Sequence, residues 1–258
     1  MGAVTTDRRG ALRAAALLAL AGSPLGTACS AGRPAPEAPA SARPSAPPPA
    51  PGPRRFPGLP AQIEHGPRTK RQVALTFHGQ GDPKTARRLL EQAEQAGARV
   101  TVLAVGSWLD RYPEIARRIL DGGHELGNHT LRHLDINQLS EAEAFAEITG
   151  CADRLRRLTG SIGTWFRPSR TQQASPLVQK LARRAGYPHV LSYDTDSLDF
   201  TSPGAQAVVR NVTGSVRGGS VVSLHFGYAD TVAALPAVLE ELARRDLSAV
   251  TTTELLTS

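Results

Sequence analysis

Val73-Ala74-Leu75-Thr76-Phe77 is a short apolar, β-rich run that leads into His78-Gly79-Gln80-Gly81 and then Asp82-Pro83. Beyond that pair, Leu89, Leu90, Ala93 and Ala96 recur at helical spacing across Thr85–Ala96, and Gly97 ends the pattern. Val100–Val105 is a second strand of the buried type. Strand, helix, strand in about 35 residues predicts a crossover unit and a parallel sheet. The alternation continues outward. Helices are predicted at Pro113–Leu120, Ser140–Leu158, Pro176–Ala185, Ala205–Val212 and Thr231–Arg244. Strands are predicted at His124–Asn128, Thr164–Pro168, Val190–Tyr193, Ser220–Leu224 and Ala249–Thr252. The expected fold is α/β, a single distorted, TIM-like (β/α) barrel of about seven strands.

The rest of the 258 residues is organised differently. Arg8-Arg9 precede an Ala/Leu-rich stretch, Ala14–Ala21, and small residues lead to Cys29. That order is a secretory signal, of twin-arginine or ordinary type, too short to span a membrane. Leu25-Gly26-Thr27-Ala28-Cys29 resembles a lipoprotein box with its Leu one position too far away, which makes Cys29 a candidate lipid anchor. Residues 30–60 hold eleven prolines from Pro34 onward and read as a disordered Pro/Ala-rich spacer. The expected organisation is a signal over 1–29, a linker over 30–60 and one domain over 61–258. Cys151, in a helical pattern, is expected to be a small core residue.

Charge follows the same division. Residues 1–71 carry ten of the 30 basic residues and three of the 23 acidic ones, which is the entire excess of +7. Residues 72–258 are neutral overall and exert no general pull on a polyanion, so nucleic acid is not an expected partner.

Polar residues fall at the predicted strand ends: His78, His129, Arg167, Asp194, Asp196 and His225. In a parallel barrel those ends form the active-site face. His129-Thr130-Leu131-Arg132-His133 places two imidazoles four residues apart, which on a helical turn would share one face and bind one metal ion. Asp194, His65 and His189 are expected to be structural or solvated. Trp108 and Trp165 are either core residues or platforms for a sugar ring.

From Gly122-Gly123-His124-Glu125-Leu126-Gly127-Asn128-His129-Thr130 through His133, the sequence resembles the polysaccharide deacetylase family with the NodB homology domain, carbohydrate esterase family 4. The resemblance covers roughly residues 70–258. It implies that His129 and His133 bind a divalent metal, expected to be zinc. In Phe166-Arg167-Pro168-Ser169-Arg170 it implies that Arg167 orients the catalytic base and that the backbone amide of Arg170 helps stabilise the oxyanion. In Asp196-Ser197-Leu198-Asp199-Phe200 it implies that Asp199 orients the acid and that Phe200 walls the groove. In Ser223-Leu224-His225 it implies that Leu224 lines an acetyl-methyl pocket and that His225 is the acid. The first motif departs from the family's Thr-Phe-Asp-Asp-Gly: His78 stands at the base position and Gly79 at the third-ligand position. Three outcomes are open: His78 becomes the third ligand, Asp82 reaches in, or no catalytic metal binds.

The function this implies is an exported, metal-dependent hydrolase that removes acetyl groups from surface polysaccharide. The alternative is an inactive domain of the same fold that binds cell-wall glycan. The expected partner is that polysaccharide, with membrane contact only through a lipid on Cys29 and the domain a monomer.

Overall fold

The computed structural model describes residues 48–257. In chain order the elements are β1 (Gln62–Ile63), β2 (Gln72–Gly79), α1 (Pro83–Gln95), β3 (Thr101–Ala104), α2 (Gly106–Arg111), α3 (Glu114–Asp121), β4 (Glu125–Asn128) and α4 (Glu141–Thr159). They continue with α5 (Pro176–Arg184), β5 (Val190–Leu191), β6 (Thr195–Asp196), α6 (Ala205–Ser215), β7 (Val221–His225), α7 (Ala229–Arg244), β8 (Ser248–Val250) and α8 (Thr252–Leu256). The pairings between these strands are all parallel. β2 is the hub, pairing with β8 through Gln72–Ala74, with β7 through Ala74–His78 and with β3 through Thr76–Gly79. β4 lies beside β3, and β6 beside β7. Single-residue parallel bridges at Phe166 carry the wall from β4 to β5, which pairs with β1. The product is an irregular (β/α) barrel, as the alternation predicts.

Side-chain alternation explains why β2 is apolar almost throughout. Val73, Leu75 and Phe77 face the outer helices, in one cluster with Leu89, Leu90, Val102, Val222 and Leu224. Ala74 faces inward, in the cluster of Ile63, Leu103, Leu191 and Val221. A strand covered on both faces has no polar side to show. By the same period of two, His78 faces the interior and Gly79 faces the helix layer. Local signals set the helix ends. Asp82 Oδ1 accepts from the Lys84 amide with Pro83 in the first turn of α1. Ser140 and Glu143 form a reciprocal capping box on α4.

Three expectations are corrected. The strand expected over Thr164–Pro168 is reduced to the bridges at Phe166. The run expected as a strand over Ala249–Thr252 ends at Val250, because Thr251 caps α8 with a second capping box. Residues 129–133 are not a helical turn: Thr130 and His133 both have left-handed backbone, φ 67° and 60°.

The boundary at residue 61 also moves. The Ala50 amide donates to the Thr159 carbonyl (2.8 Å), and Ser161 Oγ donates to the Pro51 carbonyl (2.8 Å). Phe56 is 9% exposed and stacks on Trp165, with ring centroids 5.5 Å apart. The end of the Pro-rich stretch is therefore part of the core. The signal, Cys29 and the earlier spacer lie outside the described residues. Phe56→Ala is expected to cost about 3 kcal/mol by leaving a cavity against Trp165. Denaturant titration would read this as a lower midpoint at unchanged slope, and an unchanged midpoint would return Phe56 to the linker.

Candidate active site

The C-terminal ends of the strands converge on a cleft of about 370 Å³. β2 delivers His78, β7 delivers His225, and the chain after β4 delivers His129. Arg167 follows the Phe166 bridge. His78 packs against both neighbours, its ring centroid 4.4 Å from that of His129 and 4.3 Å from that of His225. His133 lies 4.8 Å from His129.

His129 is fully buried. Its Nδ1–H donates to the Arg167 carbonyl (3.1 Å), and its Nε2 is buried with no partner. The donated proton fixes the tautomer, so Nε2 carries the lone pair. Burial holds the ring neutral, well below the usual imidazole range. One nitrogen from each of His78, His129 and His133 falls within 4.8 Å of the others. An orphaned imidazole lone pair oriented by a backbone carbonyl, beside two more neutral imidazoles, fits a divalent cation, and imidazole suits zinc.

The loop carrying His129 and His133 is pinned on several sides. The amides of Gly106 and Ser107 donate to the carbonyls of Thr130 and Leu131. Asn128 Oδ1 accepts from the Thr130 amide, and the Thr130 hydroxyl accepts from the His133 amide. Glu147, 1% exposed, takes both the Arg132 amide (2.8 Å) and Arg132 Nε (2.7 Å). Burial and the nearby Arg170 charge push the His133 imidazole down to about 4.

Arg167 is 0% exposed. It donates to the carbonyls of Leu191 (3.3 Å) and Ser192 (2.9 Å), and its Nη1 lies 3.3 Å from His78 Nε2. Ser223 Oγ is also 3.3 Å from that nitrogen. Burial first, then neighbouring imidazoles and the guanidinium, push His78 well below the usual imidazole range. On the other side, His225 Nδ1 and Asp199 Oδ1 are 2.6 Å apart. Asp199 Oδ2 accepts from the His225 amide (2.8 Å) and the Thr231 hydroxyl (2.6 Å). Three bonds hold this buried carboxylate, and the other nitrogen of His225 is left for chemistry.

The first motif has a steric explanation. A Cβ on Gly79 would lie 2.9 Å from Val102 Cγ1 and 3.1 Å from Ala104 Cα, on the helix side of the sheet. Position 79 is thus closed to a ligand side chain in this register. Gly79→Asp is expected to destabilise the fold without adding zinc affinity; tighter zinc binding at unchanged melting temperature would contradict this. Asp82 is committed to capping α1. Of the carriers considered for a third ligand, His78 is the one the structure places beside His129 and His133.

Phe200 is 46% exposed at the rim, its ring 5.5 Å from His225. Tyr228, which no motif marked, lies 5.8 Å from His225 on the same rim. Leu224 is corrected: it is 1% exposed and sits in the outer core, on the face of β7 opposite His225. Trp108 and Trp165 are buried and offer no platform to a sugar. Asp194 binds Arg68, Ser220 and the Val221 amide. His189 bridges the Phe56 amide and the Pro60 carbonyl. Cys151 is a buried core thiol pushed up to about 12.

The loops after β2 and β7 meet backbone to backbone. Gly81 has φ 110°, and a Cβ there would lie 2.7 Å from Gly227 Cα. Trp108 Nε1 donates to the Gly81 carbonyl (2.8 Å), and the Phe226 amide donates to the His78 carbonyl (3.1 Å).

An imidazole cluster beside a carboxylate-oriented histidine, on the top face of a parallel barrel, has the parts of a metal-assisted hydrolytic site. Comparison with known proteins agrees with that class. The sequence pattern of the polysaccharide deacetylase family matches residues 65–190. A peptidoglycan-N-acetylglucosamine deacetylase of Bacillus cereus is 32% identical over 194 residues, covering 74% of this chain and 90% of that protein. The solved Bc1960 peptidoglycan N-acetylglucosamine deacetylase is 26% identical, with a TM-score of 0.71 over 77% of this chain and 94% of its own. BA3943 of Bacillus anthracis, a CE4 family pseudoenzyme, shares the fold, with a TM-score of 0.72 at 24% identity over 77% of this chain and 70% of its own. The chain belongs to the polysaccharide deacetylase family.

Proposed function

We propose that this protein is an exported, metal-dependent hydrolase that removes acetyl groups from N-acetylated or O-acetylated cell-surface polysaccharide. The observation that carries the reading is the partnerless, buried Nε2 of His129 among three neutral imidazoles, next to the Asp199–His225 pair. His78, His129 and His133 would hold the cation. When bound, it supplies Lewis acidity toward the acetyl carbonyl and lowers the pKa of the attacking water. Burial makes His78 a weak proton acceptor, which suits a neutral ligand better than a base. With its Nε2–H given to Ser223 Oγ, His78 keeps the Nδ1 lone pair for the cation, Arg167 packs beside the ring, and the Arg170 amide is the donor assigned to the developing oxyanion. His225, oriented by Asp199, gives its proton to the leaving nitrogen. Phe200 walls the groove. Export, anchoring through Cys29 and action as a monomer complete the reading.

The test is acetate release from N-acetylated oligosaccharide by zinc-loaded protein. Release well above that of a His129→Ala control supports the reading. Equal release refutes it. One observation favours a second reading, a non-catalytic glycan-binding domain: the first motif brings no carboxylate to the site, because Gly79 faces the helices. That reading predicts glycan binding without turnover.

A further inference from the structure

We infer that Asp196 is the general base of the cleft, the group that takes the proton of the attacking water. This rests on the hydrolase reading above and supplies the acceptor that the first motif lacks.

The other side chains of the cleft are already committed. Hydrolysis has to remove a proton from the water as its oxygen meets the acetyl carbon, and a positioned acceptor speeds that transfer. His78 and His133 are turned to the cation with His129, and His225 is the donor to the leaving group. Tyr193 borders the cleft as a neutral phenol, pushed up by burial and by the neighbouring Asp196 carboxylate. Gln80 and Gln172 bring amides, which are too weakly basic to hold a proton. Glu147 and Asp199 are buried behind the site, one bound to Arg132 and the other to His225 and Thr231. Asp196 is the only carboxylate among the described residues that line the cleft.

The fold puts this carboxylate on the inner wall. β6 pairs with β7 so that Asp196 is opposite Ser223, and β7 pairs with β2 so that His225 is opposite His78. Side chains alternate along β7, so Ser223 and His225 share the inner face, and Asp196 shares it as the register partner of Ser223. Ser223 Oγ is 3.3 Å from His78 Nε2. Asp196 therefore stands one side chain away from the His78 ring and one layer below His225. Burial lowers the Arg167 guanidinium to about 10, and the charge of Asp196 is among those that oppose this, which places the two within electrostatic reach. The Leu198 amide donates to Asp196 Oδ1 (3.0 Å) and fixes the carboxylate in its own loop. A carboxylate has about four lone-pair sites, so this bond leaves it able to accept a proton.

The water oxygen bonds to the acetyl carbon, and one of its protons passes to Asp196, directly or through one further water. The carbonyl π pair moves onto its oxygen, beside the Arg170 amide. As that pair returns, the carbon–nitrogen bond breaks and its electrons leave with the nitrogen, which takes a proton from His225. Asp196 then gives its proton to solvent and His225 regains one. The protein is back at its starting state, with acetic acid and the free amine formed.

The test is steady-state hydrolysis of N-acetylated oligosaccharide by the zinc-loaded full chain, followed as free amine. Asp196→Asn keeps the Oδ1 acceptor for the Leu198 amide and removes the basicity. Its kcat is expected to fall about 10²-fold at unchanged KM, retained zinc and melting temperature. That is the lower end of the usual range for a general base, because the cation already acidifies the water. Formate should restore part of the activity of Asp196→Ala, since a small carboxylate fits the space left, and should do nothing for His225→Ala. A merely structural Asp196 would show no such rescue. A kcat of Asp196→Asn within about threefold of wild type, a loss carried by KM or by zinc retention, or no formate rescue of Asp196→Ala would overturn the assignment while wild-type turnover stands. No turnover by the wild type would overturn the hydrolase reading and this assignment with it.

Discussion

Replacing His225 by Ala is expected to lower acetate release by about 10²- to 10⁴-fold, the usual contribution of a positioned general acid. His225 lies at the end of β7 with its ring in the cleft, so the substitution removes little packing. The melting temperature should stay close to that of the wild type. Asp199→Asn is a harsher change, because Asp199 is 0% exposed and accepts three hydrogen bonds. An amide nitrogen facing any of those donors would break the arrangement that orients the ring. The pair of variants thus separates proton delivery from support of the loop. Acetate release by His225→Ala within a factor of about three of wild type would remove the histidine from the mechanism.

The second large effect is on the metal. Protein loaded with excess zinc and desalted is expected to retain about one ion per chain, and His129→Ala none. His129 is the decisive position because its Nε2 has no alternative partner, so its truncation removes the best-oriented donor. His78→Ala then tests the third ligand. Loss of retained zinc assigns His78 to the cation; full retention returns it to the role of base. Asp82→Ala should leave zinc unchanged and lose only helix-capping stability, about 1 kcal/mol. Zinc absent from the wild type as well would favour the glycan-binding reading.

Much of this was legible in the sequence because the physics is local. The β-rich run at Val73–Phe77 and the helical spacing through Leu89 and Leu90 needed no tertiary information. The meeting of His78, Arg167 and His225 followed from strand ends in a parallel barrel. Other features depend on contacts between segments remote in sequence. The spacing of His129 and His133 suggested a helical turn, yet the two rings converge through left-handed backbone at Thr130 and His133. Nothing in residues 129–133 announces that, because the loop is fixed by amides from α2 and the carboxylate of Glu147. Leu224 was readable in principle: if His225 faces the cleft, its neighbour faces the helices. Phe56 was hidden by its surroundings, since a Pro-rich composition gives no sign that one aromatic side chain docks against Trp165. Tyr228 lies outside any motif, and only the packing of the β7 loop brings it to the rim.

The contact between Gly81 and Gly227 bears on how the site works over time. The loop that follows His78 and the loop that follows His225 meet where neither has a side chain, and Trp108 donates to the Gly81 carbonyl at that point. Together with the Phe226 amide bond to the His78 carbonyl, this restrains them from moving as independent flaps. The reacting groups therefore keep their mutual placement between turnovers, and the entropy of assembling them is lost once, when the chain folds, instead of in every cycle.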